Sequence, residues 1–298
     1  MSIPQVSIII PTRDREALLS ECLDRLVPQL PGNGAVEIII SDDSPSPARE
    51  TIAPALRIAG PRAGPGPNRN FAAGRATGKW LVFIDDDCLP RPGFLNAYLG
   101  ILNKANEECD FFAGTTIPCG DGADSLLMES PHNLPPGNFP PPSCNFCVSR
   151  RFFEASGGFD ERYRVSFEDM EFFSRLAALG GNFRFVEGAA VEHEFRPIPS
   201  AAKLAARWES RVISCLDHGA SPRDIAMLLP RHMALVILSR FRGKPLSPCN
   251  VRASATFAFE YFTAIARLPG WISKNLRGPR SSFWKSLPPE RHPPRFGL

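Results

Sequence analysis

Three short runs near the start of the chain share one design. Val6 to Ile10 ends in Pro11-Thr12-Arg13, Val36 to Ile40 in Ser41-Asp42-Asp43, and Trp80 to Ile84 in Asp85-Asp86-Asp87. Each run is apolar and mostly β-branched or aromatic without polar alternation, the pattern of a strand buried on both faces. Between the first two, Arg15 to Leu30 carries apolar residues at helical spacing. Strand, helix, strand in this order predicts an α/β fold with a mostly parallel central sheet, right-handed crossovers and flanking helices. Open parallel sheets bind ligands beyond the carboxyl ends of their strands, so the three polar clusters are expected along one edge.

Farther on, a Gly/Pro loop from Gly60 to Gly66 leads into a short helix from Asn68 to Ala76. Asp121 to Pro142 is rich in Gly and Pro, which disfavours helix, and reads as a long loop over the site. Arg150 to Ser156 and Asp169 to Leu179 are expected to be helices, each stopped by a glycine pair. The eight cysteines are scattered, and Cys144-x-x-Cys147 has no second ligand pair at zinc-site spacing, so buried reduced thiols are expected.

Charge divides the chain. Residues 1–195 carry 17 Lys and Arg against 26 Asp and Glu, whereas residues 196–298 carry 17 against 5. The expected organisation is a main domain over 1–195 and a basic, amphipathic helical extension over 196–298, poorly ordered from about 280. Such an extension suits an anionic membrane surface, with Trp208, Trp271 and Trp284 on its apolar side, or docks on the acidic body. Nucleic acid is not expected as a partner. Ile225 to Leu238 is too short and too polar to span a bilayer, and the first ten residues lack the features of a secretory leader. A cytoplasmic location is expected, with peripheral attachment to the inner face of the membrane.

Three successive aspartates after an apolar strand repel one another unless something cationic neutralises them. Hard carboxylate oxygens suit Mg²⁺ or Mn²⁺, which bind one or two carboxylates together with substrate phosphates. The alternative is a solvated turn.

The segments VSIIIPTRDR, VEIIISDDS, GPNRNFAAGRATGKWLVFIDDD, GGFDERY and FEDMEFFSRL resemble, in order and spacing, those of family-two glycosyltransferases with the GT-A fold, and together cover residues 4 to 195. The resemblance implies a nucleotide-sugar-dependent, inverting enzyme with a UDP-sugar the favoured donor and a glycan or lipid-linked acceptor. It puts Pro11, Thr12 and Arg13 on the nucleotide, Asp43 or Asp42 on the base, and Arg69, with Arg75 as competitor, on base or phosphate. Asp85 and Asp87 match the D-x-D motif, Asp86 lies near the ribose or donor sugar, and Asp87 is the leading ligand for Mn²⁺ or Mg²⁺. Cys88 stands where relatives often have a further acid.

The resemblance also makes Asp169 the catalytic base and Glu168 an acceptor-positioning residue, the two exchanging roles if the register slips. Acids in a first helical turn are favoured by the helix dipole in any case. His193 completes the metal shell, and Asn145, Gly157, Gly158 and Phe159 shape the donor-sugar and acceptor pocket. Two rival readings remain. A nucleotidyltransferase would need a glycine-rich phosphate loop after the first strand, and Pro11 to Arg15 contains no glycine. A catalytically degenerate binding subunit would keep the fold without the chemistry.

Overall fold

The structure, a computed structural model, describes residues 4–47, 54–244, 247–279 and 281–286. In chain order the first half contains β1 (Val6–Thr12), α1 (Glu16–Leu26), β2 (Val36–Asp42), β3 (Ala55–Ala59), α2 (Pro65–Ala73), β4 (Trp80–Ile84), β5 (Cys88–Pro90), α3 (Phe94–Leu102) and β6 (Asp110–Cys119). Then follow β7 (Met128–Glu129), β8 (Asn145–Ser149), α4 (Arg150–Ser156), α5 (Glu168–Ala178), β9 (Asn182–Glu194) and β10 (Arg196–Pro197). The described chain ends in α6 (Ala201–Asp217), α7 (Pro222–Ser239), α8 (Pro248–Arg277) and α9 (Ser282–Ser286).

These elements form two compact units. One comprises Met1–Gly120, Ser130–Arg164 and Glu168–Glu194, and the other Asp121–Glu129, Val165–Phe167 and Phe195–Leu298. The first is built on an eight-stranded sheet in the order β3-β2-β1-β4-β8-β6-β9-β5. Strands β3, β2, β1 and β4 run parallel, β8 is antiparallel to both β4 and β6, and β6 and β9 run parallel to each other.

The absence of alternation in the strand sequences has a direct cause. Val6, Ile8 and Ile10 of β1 point into one core with α1 and α3, where Leu23, Leu26, Phe94 and Tyr98 pack. Ile9 points into a second core, with Phe83, Phe146, Phe172 and Phe173, on the opposite face. Successive side chains of a strand face opposite ways, so a sheet covered on both sides needs apolar residues at every position.

The Pro-rich segment departs from its expected role as one loop over the site. Met128–Glu129 pairs with Arg196–Pro197 inside the second unit. In the first unit Asn133 bridges to Thr116, while the Phe139 ring packs on Phe111 and Phe183, at the starts of β6 and β9 and thus away from the strand ends that carry the aspartates.

The second unit buries the apolar face of α6 that the spacing predicts: Trp208, Val212 and Leu216 join Leu229, Met233, Leu268 and Trp271 in one cluster. The indole N–H of Trp208 donates to Glu260 at 2.9 Å, and Arg240 pairs with the same carboxylate at 2.5 Å. This corrects the expectation for the tryptophans. Trp208, Trp271 and Trp284 are 6%, 8% and 0% exposed and belong to the unit's own interior. The segment expected to be poorly ordered from 280 includes α9, whose Trp284 ring lies 4.5 Å from that of His218; residues 287–298 lie outside the described residues.

Candidate active site

The carboxyl ends of β1, β2 and β4 bring their polar clusters together as the parallel order requires. Thr12, the last residue of β1, donates its hydroxyl to Asp86 Oδ2 at 2.7 Å. Asp14 then adopts φ 54°, which turns the chain. The turn decides which arginine faces the site. Arg15 Nη1 lies 3.0 Å from Asp86 Oδ1 and 2.9 Å from Asp87 Oδ2. Arg13, expected on the nucleotide, is exposed and has its ion pair with Asp14 at 3.7 Å. Pro11 stays in the β1 ladder opposite Ser41. Burial pushes the Asp86 carboxyl up to about 6, against the Thr12 hydrogen bond and the Arg15 charge that favour its ionised form.

At the end of β2 the two aspartates have different tasks. Asp42 is 1% exposed and accepts from Arg57 Nη2 at 2.7 Å and from the Ser44 N–H at 2.9 Å. Arg57, on β3, also grips Glu16 through both terminal nitrogens at 2.9 and 2.7 Å. Asp42 is therefore tied to the scaffold. Asp43 accepts the backbone N–H of Arg62 at 2.8 Å and of Gly64 at 3.3 Å, one on each oxygen, so it holds the loop before α2 and keeps acceptor capacity. Gly60 is required by this close approach, since a Cβ there would stand 2.4 Å from Asp43 Oδ1.

Replacing Arg57 by Ala would leave Asp42 buried without its cation. An uncompensated buried charge of this kind costs about 3–5 kcal/mol. Urea unfolding of Arg57→Ala is expected to show a loss in that range, and a loss below about 1 kcal/mol, the scale of a surface pair, would contradict this role.

Arg69 departs most from its expected place. It is buried at 3% exposure, with Nη2 2.5 Å from Asp85 Oδ1, Nη1 3.6 Å from Glu168 Oε1, and its guanidinium 5.6 Å from the centre of the Phe159 ring. Rather than reaching outward to a nucleotide, it braces the end of β4 against the start of α5. Its Nε and Nη1 make no hydrogen bond. The competitor Arg75 is exposed and stacks on Phe71 of its own segment, 5.0 Å from the ring centre.

Phe167, immediately before α5, adopts φ 75°, a conformation uncommon for a bulky side chain and found where a local geometry is enforced. Glu168 and Asp169 then open the helix. Burial pushes Glu168 up to about 7, the neighbouring Asp169 charge adds to the rise and Arg69 opposes it. Burial also raises Asp169, whose Oδ1 accepts the Met170 N–H at 2.7 Å.

His193 reaches the cluster because β5 pairs with β9 in the register Cys88↔His193, beside Asp87. Its Nε2 lies 3.3 Å from Asp87 Oδ1, and its Nδ1 lies 2.8 Å from the Glu194 carbonyl oxygen and 3.1 Å from Ser130 Oγ. A carbonyl oxygen only accepts, so Nδ1 carries a hydrogen and Nε2 turns toward the carboxylate. Two acceptors facing each other at this distance need a proton or a metal ion between them, and the backbone bond behind the ring is the arrangement that orients metal-ligating histidines. Asp87 and His193 thus fit a divalent cation. The expected third ligand, Asp85, is turned to Arg69, and no group of three or more His, Cys, Asp or Glu side chains in metal-holding geometry occurs among the described residues.

Asn145, Gly157 and Gly158, expected to shape the pocket, make contacts within the scaffold. The Asn145 amide donates to the carbonyls of Thr115 and Ala189 at 3.0 and 2.9 Å and accepts from the Tyr98 hydroxyl at 2.8 Å, which occupies it inside the sheet. Gly157 closes α4 at φ 82°, and Gly158, at φ 68°, abuts Asn70, whose amide pairs with the Phe159 backbone. Arg15 and Arg57 were missed in the sequence. Arg15 could have been found from its place three residues beyond Thr12, the last residue of β1.

The model of a known family, glycosyl transferase family 2, matches residues 7–166. The O-antigen biosynthesis protein RfbC of Myxococcus xanthus is 28% identical over 209 residues, which are 59% of this chain and 16% of RfbC. The GalNAc(5)-diNAcBac-PP-undecaprenol beta-1,3-glucosyltransferase of Campylobacter jejuni is 30% identical over 114 residues, 35% of each chain. The chain spans less than half the length of either relative. Among solved structures, S. aureus TarS 1-349 is similar with a TM-score of 0.54 at 16% identity over 92% of this chain and 89% of that one. The Pyrobaculum calidifontis mannosyltransferase PcManGT, in complex with GDP-Man and Mn2+, gives 0.51 at 18% identity over 93% and 88%. At such identities these two speak for the fold. The family match covers more than half of the sequence and includes the strand ends described above, and the chain belongs to glycosyl transferase family 2 and has the GT-A fold.

Proposed function

We propose that the chain transfers a sugar, with inversion, from a nucleoside-diphosphate sugar, a UDP-sugar being favoured, to a hydroxyl of a glycan or lipid-linked acceptor. One observation carries the reading. Asp85 at the end of β4 and Glu168 at the start of α5 flank a single buried guanidinium, Arg69, so acids suited to the donor side and to the acceptor side of a displacement share one site. TarS has been solved in complex with UDP and with UDP-GlcNAc, and the Campylobacter relative carries an undecaprenol-linked glycan in its name. Both support the choice of substrates.

In this reading Asp43 receives the edge of the nucleobase, and the end of β1 at Thr12 borders the ribose and diphosphate. Asp87 and His193 would hold Mn²⁺ or Mg²⁺, which when bound supplies positive charge against the diphosphate leaving group. Five carboxylates, Asp85 to Asp87 with Glu168 and Asp169, stand against the two guanidiniums of Arg15 and Arg69, an excess that favours such a cation. The acceptor oxygen forms its bond to the anomeric carbon as the bond from that carbon to the diphosphate oxygen breaks. The bonding pair leaves with the nucleoside diphosphate. Asp169 takes the hydroxyl proton, and Glu168, tethered by Arg69, orients the acceptor.

A pH dependence follows from the acid pair. Burial holds Glu168 and Asp169 protonated to a higher pH than ordinary carboxyls, and the charges facing them, Asp85 and Arg69, act in opposite directions. Asp169, raised by burial, is therefore protonated and lost as the base at a higher pH than an ordinary carboxyl, and Glu168 beside it loses its charge as pH falls through about 7. On that acid limb kcat/KM is expected to fall about tenfold per pH unit, and a profile flat to pH 5 would contradict this assignment.

The test of the function is a panel of sugar nucleotides incubated with the protein and Mn²⁺, with the phosphate products followed by ³¹P NMR. Release of a nucleoside diphosphate is expected. Pyrophosphate release from a triphosphate and a sugar phosphate would contradict the transferase reading.

A further inference from the structure

The second unit carries an apolar face that its own packing leaves uncovered. On α8, Val251, Ala255, Ala258, Phe259, Phe262 and Ala266 are all exposed. At 100° per residue they fall within an arc of about 100° on the helix. Phe259 and Phe262 are 59% and 67% exposed, and Leu235 and Leu238 on the neighbouring α7 are 58% and 65%. The two helices meet in a groove of about 510 Å³ lined by Leu238, Phe241, Phe257, Ala258, Tyr261 and Phe262 among others. Soluble monomers rarely expose so contiguous an apolar surface without a use for it.

The charge around this face selects the partner. Over residues 222–279 there are 9 Lys and Arg against 2 Asp and Glu. One of the two acids, Glu260, is buried against Arg240 and Trp208 and contributes no negative surface. Arg231 lies within the exposed stripe of α7, Arg242 follows that helix, and Arg252 adjoins Val251; all three are exposed. An apolar stripe bordered by arginine, with exposed acid (Asp224 and Asp124) near the starts of α7 and α8, matches the headgroup and acyl boundary of an anionic bilayer. A second copy of the same basic face would meet it with like charge. No helix among the described residues is long and apolar enough to cross a membrane, and α8, 30 residues with Pro269 inside, suits lying along a surface.

We propose that the α7–α8 face is a docking surface for an anionic phospholipid bilayer, with Leu238, Phe259 and Phe262 entering the acyl boundary and Arg231, Arg242 and Arg252 meeting the lipid phosphates. The tryptophans play no part in it, being buried. This inference is independent of the transfer chemistry.

The test is co-flotation of the full chain with vesicles of phosphatidylcholine alone and of phosphatidylcholine with 30 mol% phosphatidylglycerol (about the anionic fraction that polybasic segments respond to). Binding is expected only to the anionic vesicles and is expected to weaken at 0.5 M NaCl, about where surface charges are screened within a few ångströms. Phe259→Ser and Phe262→Ser should each weaken partitioning about tenfold, and Arg231→Gln and Arg252→Gln each about fivefold. A Phe262→Trp variant provides a second readout, a blue shift of its emission relative to the parent on adding anionic vesicles. UDP binding measured on the same variants should stay unchanged, which separates failure of this proposal from failure of the transfer reading. Equal binding to both vesicle types, no binding to either, or a concentration-dependent dimer that the same substitutions dissolve would overturn it.

Discussion

Asp169→Asn is expected to lower kcat by about 10³-fold while UDP affinity stays within about threefold of the parent. The substitution preserves volume and one hydrogen-bond acceptor for the Met170 N–H, so the start of α5 keeps its geometry. It removes the negative charge and with it the ability to accept a proton. Glu168 cannot simply replace it, because its carboxylate is drawn toward Arg69 at 3.6 Å. Isothermal titration with UDP and a turnover assay on the same preparation separate the two effects. Activity within about tenfold of the parent would move the base elsewhere, first to Glu168.

Asp87→Ala is expected to cost about 10²–10³ in kcat, the usual loss when a group stabilising charge in the transition state is removed. Asp87 is the residue on which Arg15 and His193 converge, at 2.9 and 3.3 Å. Without it Arg15 still contacts Asp86, so the fold of the strand ends survives, but His193 Nε2 loses the carboxylate it faces. The variant should also lose the response to added Mn²⁺ that the parent is expected to show after treatment with a chelator. A variant whose rate and metal response match the parent would remove Asp87 from the leaving-group side of the site.

Three of the eight strands, β1, β2 and β4, were readable because strands covered on both faces leave continuous apolar runs closed by polar residues. β3 escaped notice for the converse reason. Ala55–Ala59 is a short edge strand whose Leu56 is exposed and whose Arg57 points to Asp42 and Glu16, so its sequence has neither a buried run nor clean alternation. With β3 unseen, the partner of Asp42 was unseen too, and both aspartates looked available to a nucleobase.

The strand-end acids and the α5 pair were placed on the right elements, yet their roles depended on contacts no motif encodes. One residue at φ 54°, Asp14, exchanged Arg13 for Arg15. Arg69 belongs to a recognisable segment, but its position along α2 aims it inward at Asp85 and Glu168 rather than outward. In the second unit, periodicity identified amphipathic helices without saying which stripe would be covered. Both faces of α8 are largely apolar, and packing chose the face with Phe257, Leu268 and Trp271 for the interior, leaving Phe259 and Phe262 outside.

The central claim is that the acid pair of α5 activates the attacking hydroxyl opposite a diphosphate held at the end of β4. It is tested most directly by the configuration of the sugar released when water stands in for the acceptor. With an α-linked UDP-sugar accepted by the enzyme, ¹H NMR recorded before mutarotation should show the β-anomer appearing first, and Asp169→Asn should abolish that signal. Initial release of the α-anomer would contradict a single displacement with Asp169 as its base.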